Sequence, residues 1–143
     1  MKILVINGPN LARLDIRDSS IYGDLNYGEL KSLIEGAAIK HGFEADVRQS
    51  DDEATIIGWL HEAADSKLPV IINPAAFTHY SYAIRDAAEL LTSPLIEVHL
   101  SNPMSREEFR HTSVIAGVAT GTVAGFGPNS YVLAIIALKN LIG

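Results

Sequence analysis

Glu97 and His99 stand two residues apart in the run Pro94-Leu95-Ile96-Glu97-Val98-His99. On a strand, residues two apart share a face. The carboxylate can then fix the imidazole tautomer and favour its charged form, and the histidine can donate a proton to a leaving hydroxyl. A histidine that simply hydrogen-bonds at a strand end has the same pattern. Tyr22, five residues after Arg17, is the candidate for the opposite task of taking a proton. A phenol ionises near pH ~10, so deprotonation at neutral pH costs roughly 4 kcal/mol. A nearby guanidinium lowers such a value by about 1 to 3 units. Arg17, Arg13 and the distant Arg110 are the candidate neighbours; the alternative is a tyrosine that anchors its loop by packing.

The amides of Asn10 and Asn73 can position a water or hydrogen-bond an oxygen that gains charge, although asparagine is common in turns anyway. Leu100-Ser101-Asn102 follows His99. Backbone N–H groups there, with the Ser101 hydroxyl, can cradle a carboxylate. His79 and Asp86 lie seven apart, on one flank of an expected helix. His79 at the helix start can face the cleft, whereas Asp86 lies roughly 10 Å further along the axis and faces elsewhere. Arg106 and Arg110 are four apart, the spacing of surface ion pairs with Glu107 and Glu108.

Other chemistries lack their residues. The chain has no cysteine, which removes disulfides, thiol catalysis and thiolate metal sites. His61-Glu62-Ala63-Ala64-Asp65 lacks the second histidine of a zinc helix. Asn7-Gly8-Pro9-Asn10-Leu11 has the wrong spacing for a dinucleotide or Walker loop. The net charge of −6, without a basic cluster, argues against nucleic-acid binding. No stretch approaches the roughly 18 apolar residues of a membrane span, and the start is too soon polar for a signal peptide. A cytoplasmic protein of 143 residues, one domain with a real core, is the expectation.

The elements that must position these residues alternate. Strands are expected at Lys2–Ile6, Ala45–Arg48, Pro69–Ile72, Pro94–Val98 and Ile115–Ala124. Between them, Asn26 caps a helix with Glu29 three residues on, and Asp51 or Asp52 opens a second, with Ile56, Trp59, Leu60 and Ala63 on one face. Thr78 caps a third, with Tyr80, Ala83, Ile84, Ala87 and Leu91 facing the core. Residues 103 to 111 suggest a short helical excursion, and a last helix runs from about Asn129 to Asn140. Such alternation implies right-handed crossovers and a doubly wound parallel sheet, with five strands in the order 2-1-3-4-5. Ligands then bind beyond the carboxyl ends of the strands, where Asn7 to Asn10, Asn73 to His79 and His99 to Asn102 fall. Residues 11 to 25 lack a period and are long for a connection, as functional lids often are.

Three segments together resemble the type II 3-dehydroquinate dehydratases, in register from about residue 2 to residue 138. They are Ile6-Asn7-Gly8-Pro9-Asn10-Leu11 with Arg17 and Ile21-Tyr22-Gly23; Ile72-Asn73-Pro74-Ala75-Ala76-Phe77-Thr78-His79 with Arg85-Asp86; and Pro94 to Asn102 followed by Arg106-Glu107-Glu108-Phe109-Arg110-His111. The resemblance implies a flavodoxin-like lyase that converts 3-dehydroquinate to 3-dehydroshikimate, in the shikimate pathway or in quinate breakdown, with no metal, Schiff base or organic cofactor. It implies Tyr22 as the base and Arg17, on a mobile lid, as the group that makes Tyr22 acidic. Asn10 would hold a water at the enolate oxygen. His99 would be the acid, held by Glu97 and Asn73. Leu100 and Ser101 would bind the carboxylate, and Asn73, His79 and Arg110 the ring hydroxyls. Asp86 would reach a neighbouring subunit's site in a homo-oligomer, a dodecamer built as a tetramer of trimers. Ala12 and Asp15 stand where the family's lid usually carries Asn or Gly, and Gly, which leaves fewer flexible hinges. Two rivals share the fold class. A flavin- or nucleotide-binding module would purify with its ligand. A phospho-receiver needs an aspartate after the third strand, where Asn73 stands, and a lysine after the fifth.

Overall fold

A computed structural model describes residues 1–143. Five parallel strands form one sheet: β1 (Lys2–Asn7), β2 (Glu44–Gln49), β3 (Val70–Asn73), β4 (Leu95–His99) and β5 (Gly121–Ala124). Their order is β2-β1-β3-β4-β5, the flavodoxin-like arrangement. The helices are α1 (Ser19–Tyr22), α2 (Tyr27–Lys40), α3 (Glu53–Ser66), α4 (Tyr82–Ala88) and α5 (Asn129–Ile142). No helix is long and apolar enough to cross a membrane.

The central strands β1 and β3 are apolar without alternation because both faces are covered. Ile3 and Val5 point to one side, where Leu30 and Ile34 of α2 and Ala134, Ile135 and Leu138 of α5 pack. Leu4 and Ile6 point to the other, against Ile56 and Leu60 of α3 and Ile84 of α4. Ile34 and Ile135 are fully buried, and each such side chain contributes roughly 1.5–3 kcal/mol by leaving water. The capping box opens α2 as expected: Asn26 Oδ1 accepts from the Glu29 N–H at 2.8 Å, and Glu29 Oε1 accepts from the Asn26 N–H at 3.3 Å.

Three expectations need correction. Thr78 does not cap the third helix. It lies in a 3-10 turn, Ala75–His79, and Ser81 caps α4 by accepting the Ile84 N–H at 3.1 Å. The helix therefore buries Ile84, Ala87 and Ala88, and leaves Tyr80 and Ala83 exposed. The last strand is shorter than Ile115–Ala124. Ser113 Oγ accepts the N–H groups of Ile115 and Ala116 and closes a turn that continues as Ala116–Val118. The excursion at 103 to 111 is not one helix but two 3-10 turns, Pro103–Ser105 and Glu108–His111, with Arg106 extended between them at φ −112° and ψ −163°.

Candidate active site

The carboxyl ends of β1, β3 and β4 open into a solvent-facing cavity. Gly8 lets the first two loops meet there: a Cβ on it would lie 2.7 Å from the Pro74 carbonyl oxygen. Two wall residues hold left-handed backbones, Asn10 at φ 70° and Ala75 at φ 53°. Asparagine tolerates that region, whereas alanine needs support. Asn73 Oδ1 supplies it by accepting the Ala75 N–H at 3.2 Å.

His99 and Glu97 project from the same face of β4, and His99 Nε2 lies 2.6 Å from Glu97 Oε2. Both are buried, Glu97 to 1% exposure and His99 to 8%. The second ring nitrogen, Nδ1, has no protein partner. Glu97 Oε1 accepts from Ser113 Oγ at 2.9 Å.

Tyr22 closes the opposite wall. The segment 11 to 25 is structured, with a 3-10 stretch over Leu11–Ile16 and then α1. Asp18 starts α1 by accepting from the Ser20 N–H at 3.0 Å and the Ser20 hydroxyl at 2.7 Å. That turn presents the Tyr22 ring to two arginines. The Arg17 guanidinium carbon sits 3.6 Å from the ring centroid. Arg106 Nη2 donates to the Tyr22 hydroxyl at 2.6 Å, while its Nη1 donates to Ser101 Oγ at 3.2 Å. Arg13 is not a neighbour; it pairs with Asp15 at 3.1 Å on the surface. Arg110 lines the cavity and pairs with Glu107 at 3.2 Å.

Arg17, Arg106 and Arg110 share the wall, and no carboxylate side chain faces the cavity. A chain of net charge −6 thus presents a positive interior here. Burial pulls Arg17 below the ordinary guanidinium range; its contact with Tyr22 opposes this, and Arg106 and Arg110 push the same way as burial. His79 is also held below its usual value, first by burial and then by the charges of His99 and Arg110. Its Nδ1 lies 2.8 Å from the Thr112 carbonyl oxygen. A neutral ring therefore donates there and leaves Nε2 as an acceptor.

The backbone N–H groups of Leu100 and Ser101 have no partner within the chain and adjoin the cavity. Asn10, Asn73, His79, Leu100, Ser101 and Arg110 all line it beside Tyr22, Arg17 and His99. One expected placement differs. Asn73 does not hold His99: its Nδ2 donates to the Tyr131 hydroxyl at 3.0 Å, and that hydroxyl donates to Asn7 Oδ1 at 2.5 Å. Asp86, expected to face away from this cleft, is exposed on α4 and outside the cavity. Arg106, read from its spacing as a surface residue, is the wall residue that sequence reasoning missed. Its (i, i+4) relation to Arg110 assumed a helix, and the extended backbone at Arg106 breaks that helix and turns the guanidinium inward.

The family model described as dehydroquinase class II matches residues 1–139. A protein of Mycobacteroides abscessus named 3-dehydroquinate dehydratase is 53% identical over 135 residues, 94% of each chain. One of the same name from Caldicellulosiruptor bescii is 50% identical over 142 residues, 99% of this chain and 98% of its own. The crystal structure of the type II dehydroquinase from Propionibacterium acnes is similar with a TM-score of 0.95 at 47% identity, over 97% of this chain and 96% of that one. A 3-dehydroquinate dehydratase-like protein from Bifidobacterium longum gives 0.78 at 44% identity, over 100% and 98%.

Proposed function

The chain belongs to the class II dehydroquinase family, and we propose that it dehydrates 3-dehydroquinate to 3-dehydroshikimate by anti elimination of water through an enolate. One observation carries the proposal: a guanidinium-bound phenol and a carboxylate-bound imidazole flank one cavity whose charged side chains are all arginine or histidine.

The Tyr22 phenolate removes the proton on the carbon beside the ketone. Two guanidinium groups meet that anion, Arg106 at the oxygen and Arg17 over the ring. The electron pair left on carbon moves into the ketone as an enolate, and a water held by Asn10 hydrogen-bonds its oxygen. The pair then returns to form the carbon–carbon double bond and expels the hydroxyl on the next carbon. His99 supplies the proton that makes it leave as water, with Glu97 holding the charged ring. Tyr22 ends protonated and His99 neutral, and solvent resets both. No lysine lines the cavity to form an imine, and the arginines rather than a metal balance the developing charge.

Leu100 and Ser101 N–H groups bind the substrate carboxylate, and Asn73, His79 and Arg110 take the ring hydroxyls. Segment 11 to 25 acts as a lid that brings Arg17 and Tyr22 over the ring. Asp86, pointing away from its own cavity, serves a neighbouring subunit in a dodecamer of four trimers. The protein works in the cytoplasm, where its cysteine-free composition needs no oxidising compartment.

Incubation with 3-dehydroquinate tests the reaction. The expected result is an enone absorbing in the ultraviolet, formed at the same rate with a chelator present and after borohydride treatment. Absence of the enone rejects the activity, and inactivation by borohydride rejects the imine-free route.

A further inference from the structure

We propose that Ser113 is a positioning residue for the acid, its hydroxyl holding the Glu97 carboxylate turned toward His99. The inference rests on the roles proposed above for Glu97 and His99.

The direction of each hydrogen bond follows by elimination. A serine hydroxyl has one hydrogen and two lone pairs. The Ile115 N–H, at 3.2 Å, and the Ala116 N–H, at 3.0 Å, both donate to Ser113 Oγ. The hydroxyl hydrogen is left for Glu97 Oε1, 2.9 Å away. Glu97 is therefore an acceptor on that oxygen, and its other oxygen faces His99 Nε2 at 2.6 Å. No lysine or arginine pairs with this carboxylate. At 1% exposure it is almost wholly buried. Without the Ser113 hydroxyl, Glu97 Oε1 would be buried with no donor, and nothing would fix the other oxygen against the imidazole. The two backbone N–H groups also polarise the hydroxyl and strengthen the bond it gives. Ser113 lies 16 residues beyond Glu97 in sequence and does not line the cavity. It acts on the reaction only through the acid, so its removal reads out in turnover and not in substrate binding.

The experiment is a double-mutant cycle of Ser113→Ala and Glu97→Gln, assayed on 3-dehydroquinate, with thermal unfolding to check the fold. Loss of a hydrogen bond to a charged group predicts a fall in kcat of about ten- to a hundredfold for Ser113→Ala, with KM within about twofold of wild type. In the Glu97→Gln background no carboxylate remains to be held, and adding Ser113→Ala costs less than about threefold more. Near-normal kcat in Ser113→Ala, a loss that falls on KM, or the same loss in both backgrounds would each overturn the inference. If Ser113→Ala does not fold, Ser113→Cys, with similar shape and only a weak donor, replaces it in the same cycle. Near-normal kcat in Glu97→Gln alone, or in His99→Ala, rejects instead the reading of the acid on which the inference stands.

Discussion

Arg106 reaches across 84 residues of sequence to place a guanidinium nitrogen 2.6 Å from the Tyr22 hydroxyl oxygen. The same side chain holds Ser101 through its other terminal nitrogen. One residue thus ties the wall that carries the phenol to the loop whose Leu100 and Ser101 N–H groups have no partner within the chain. A lysine has one nitrogen and cannot bridge both oxygens with the fixed spacing of a guanidinium.

Arg106→Lys is therefore expected to behave much like Arg106→Ala. Both should lower kcat/KM by about ten- to a hundredfold, the size expected when a hydrogen bond to a charged group, here the basic phenolate, is lost. Steady-state assays on 3-dehydroquinate check this. A lysine variant within about threefold of wild type would show that charge alone suffices and that the two-point contact does not matter.

Behind the cavity floor, Tyr131 links Asn7 at the end of β1 to Asn73 at the end of β3. It is fully buried, and burial pushes its phenol well above the ordinary range, so it stays neutral and donates. Tyr131→Phe would strip two hydrogen bonds and leave both amides short of partners. The expected cost is about 1–3 kcal/mol per stranded group, read as a lower denaturant midpoint with an unchanged slope. An unchanged midpoint would mean that the amides re-pair without it.

How much of this was visible beforehand depended on how local the cause was. Glu97 and His99 share a strand, so their common side follows from the two-residue repeat alone, and the structure has them in contact. The strand segments and the capping box at Asn26 are equally local, and the sheet order followed from the alternation of strands with helices. Arg106 and Ser113 were hidden for the opposite reason. Each is placed by a turn whose geometry depends on partners far off in sequence, Tyr22 for one and Glu97 for the other. Helical spacing misassigned Arg106, and an apolar, glycine-containing stretch concealed the turn that Ser113 closes. Thr78 and Ser81 are both good caps; the 3-10 turn after β3 uses up Thr78 and hands the capping position to Ser81.

His79 makes a prediction about pH. Its folded pKa lies below the ordinary value, chiefly through burial, while the unfolded chain titrates near about 6.5. As pH falls through that value the unfolded state takes the proton first, so His79 lowers stability on acidification and does nothing above neutrality. His79→Asn, which keeps an N–H for the Thr112 carbonyl, should flatten the decline in denaturation midpoint between about pH 7 and pH 5. Parallel curves for the two proteins would mean that His79 titrates alike folded and unfolded.

Asp86 decides whether sites are shared between subunits. It sits on α4, exposed and outside its own chain's cavity. If it completes a neighbour's site, Asp86→Ala and His99→Ala should each be impaired alone, by about tenfold or more for the aspartate when it pairs with a charged group. Dissociating the two variants and reassembling them together then creates some sites with a wild-type aspartate from one chain and a wild-type histidine from the other. Activity should rise above the sum of the separate samples, while size-exclusion chromatography shows the assembly re-formed. A mixture that reassembles without any gain would confine each site to a single chain and leave Asp86 a solvated surface residue.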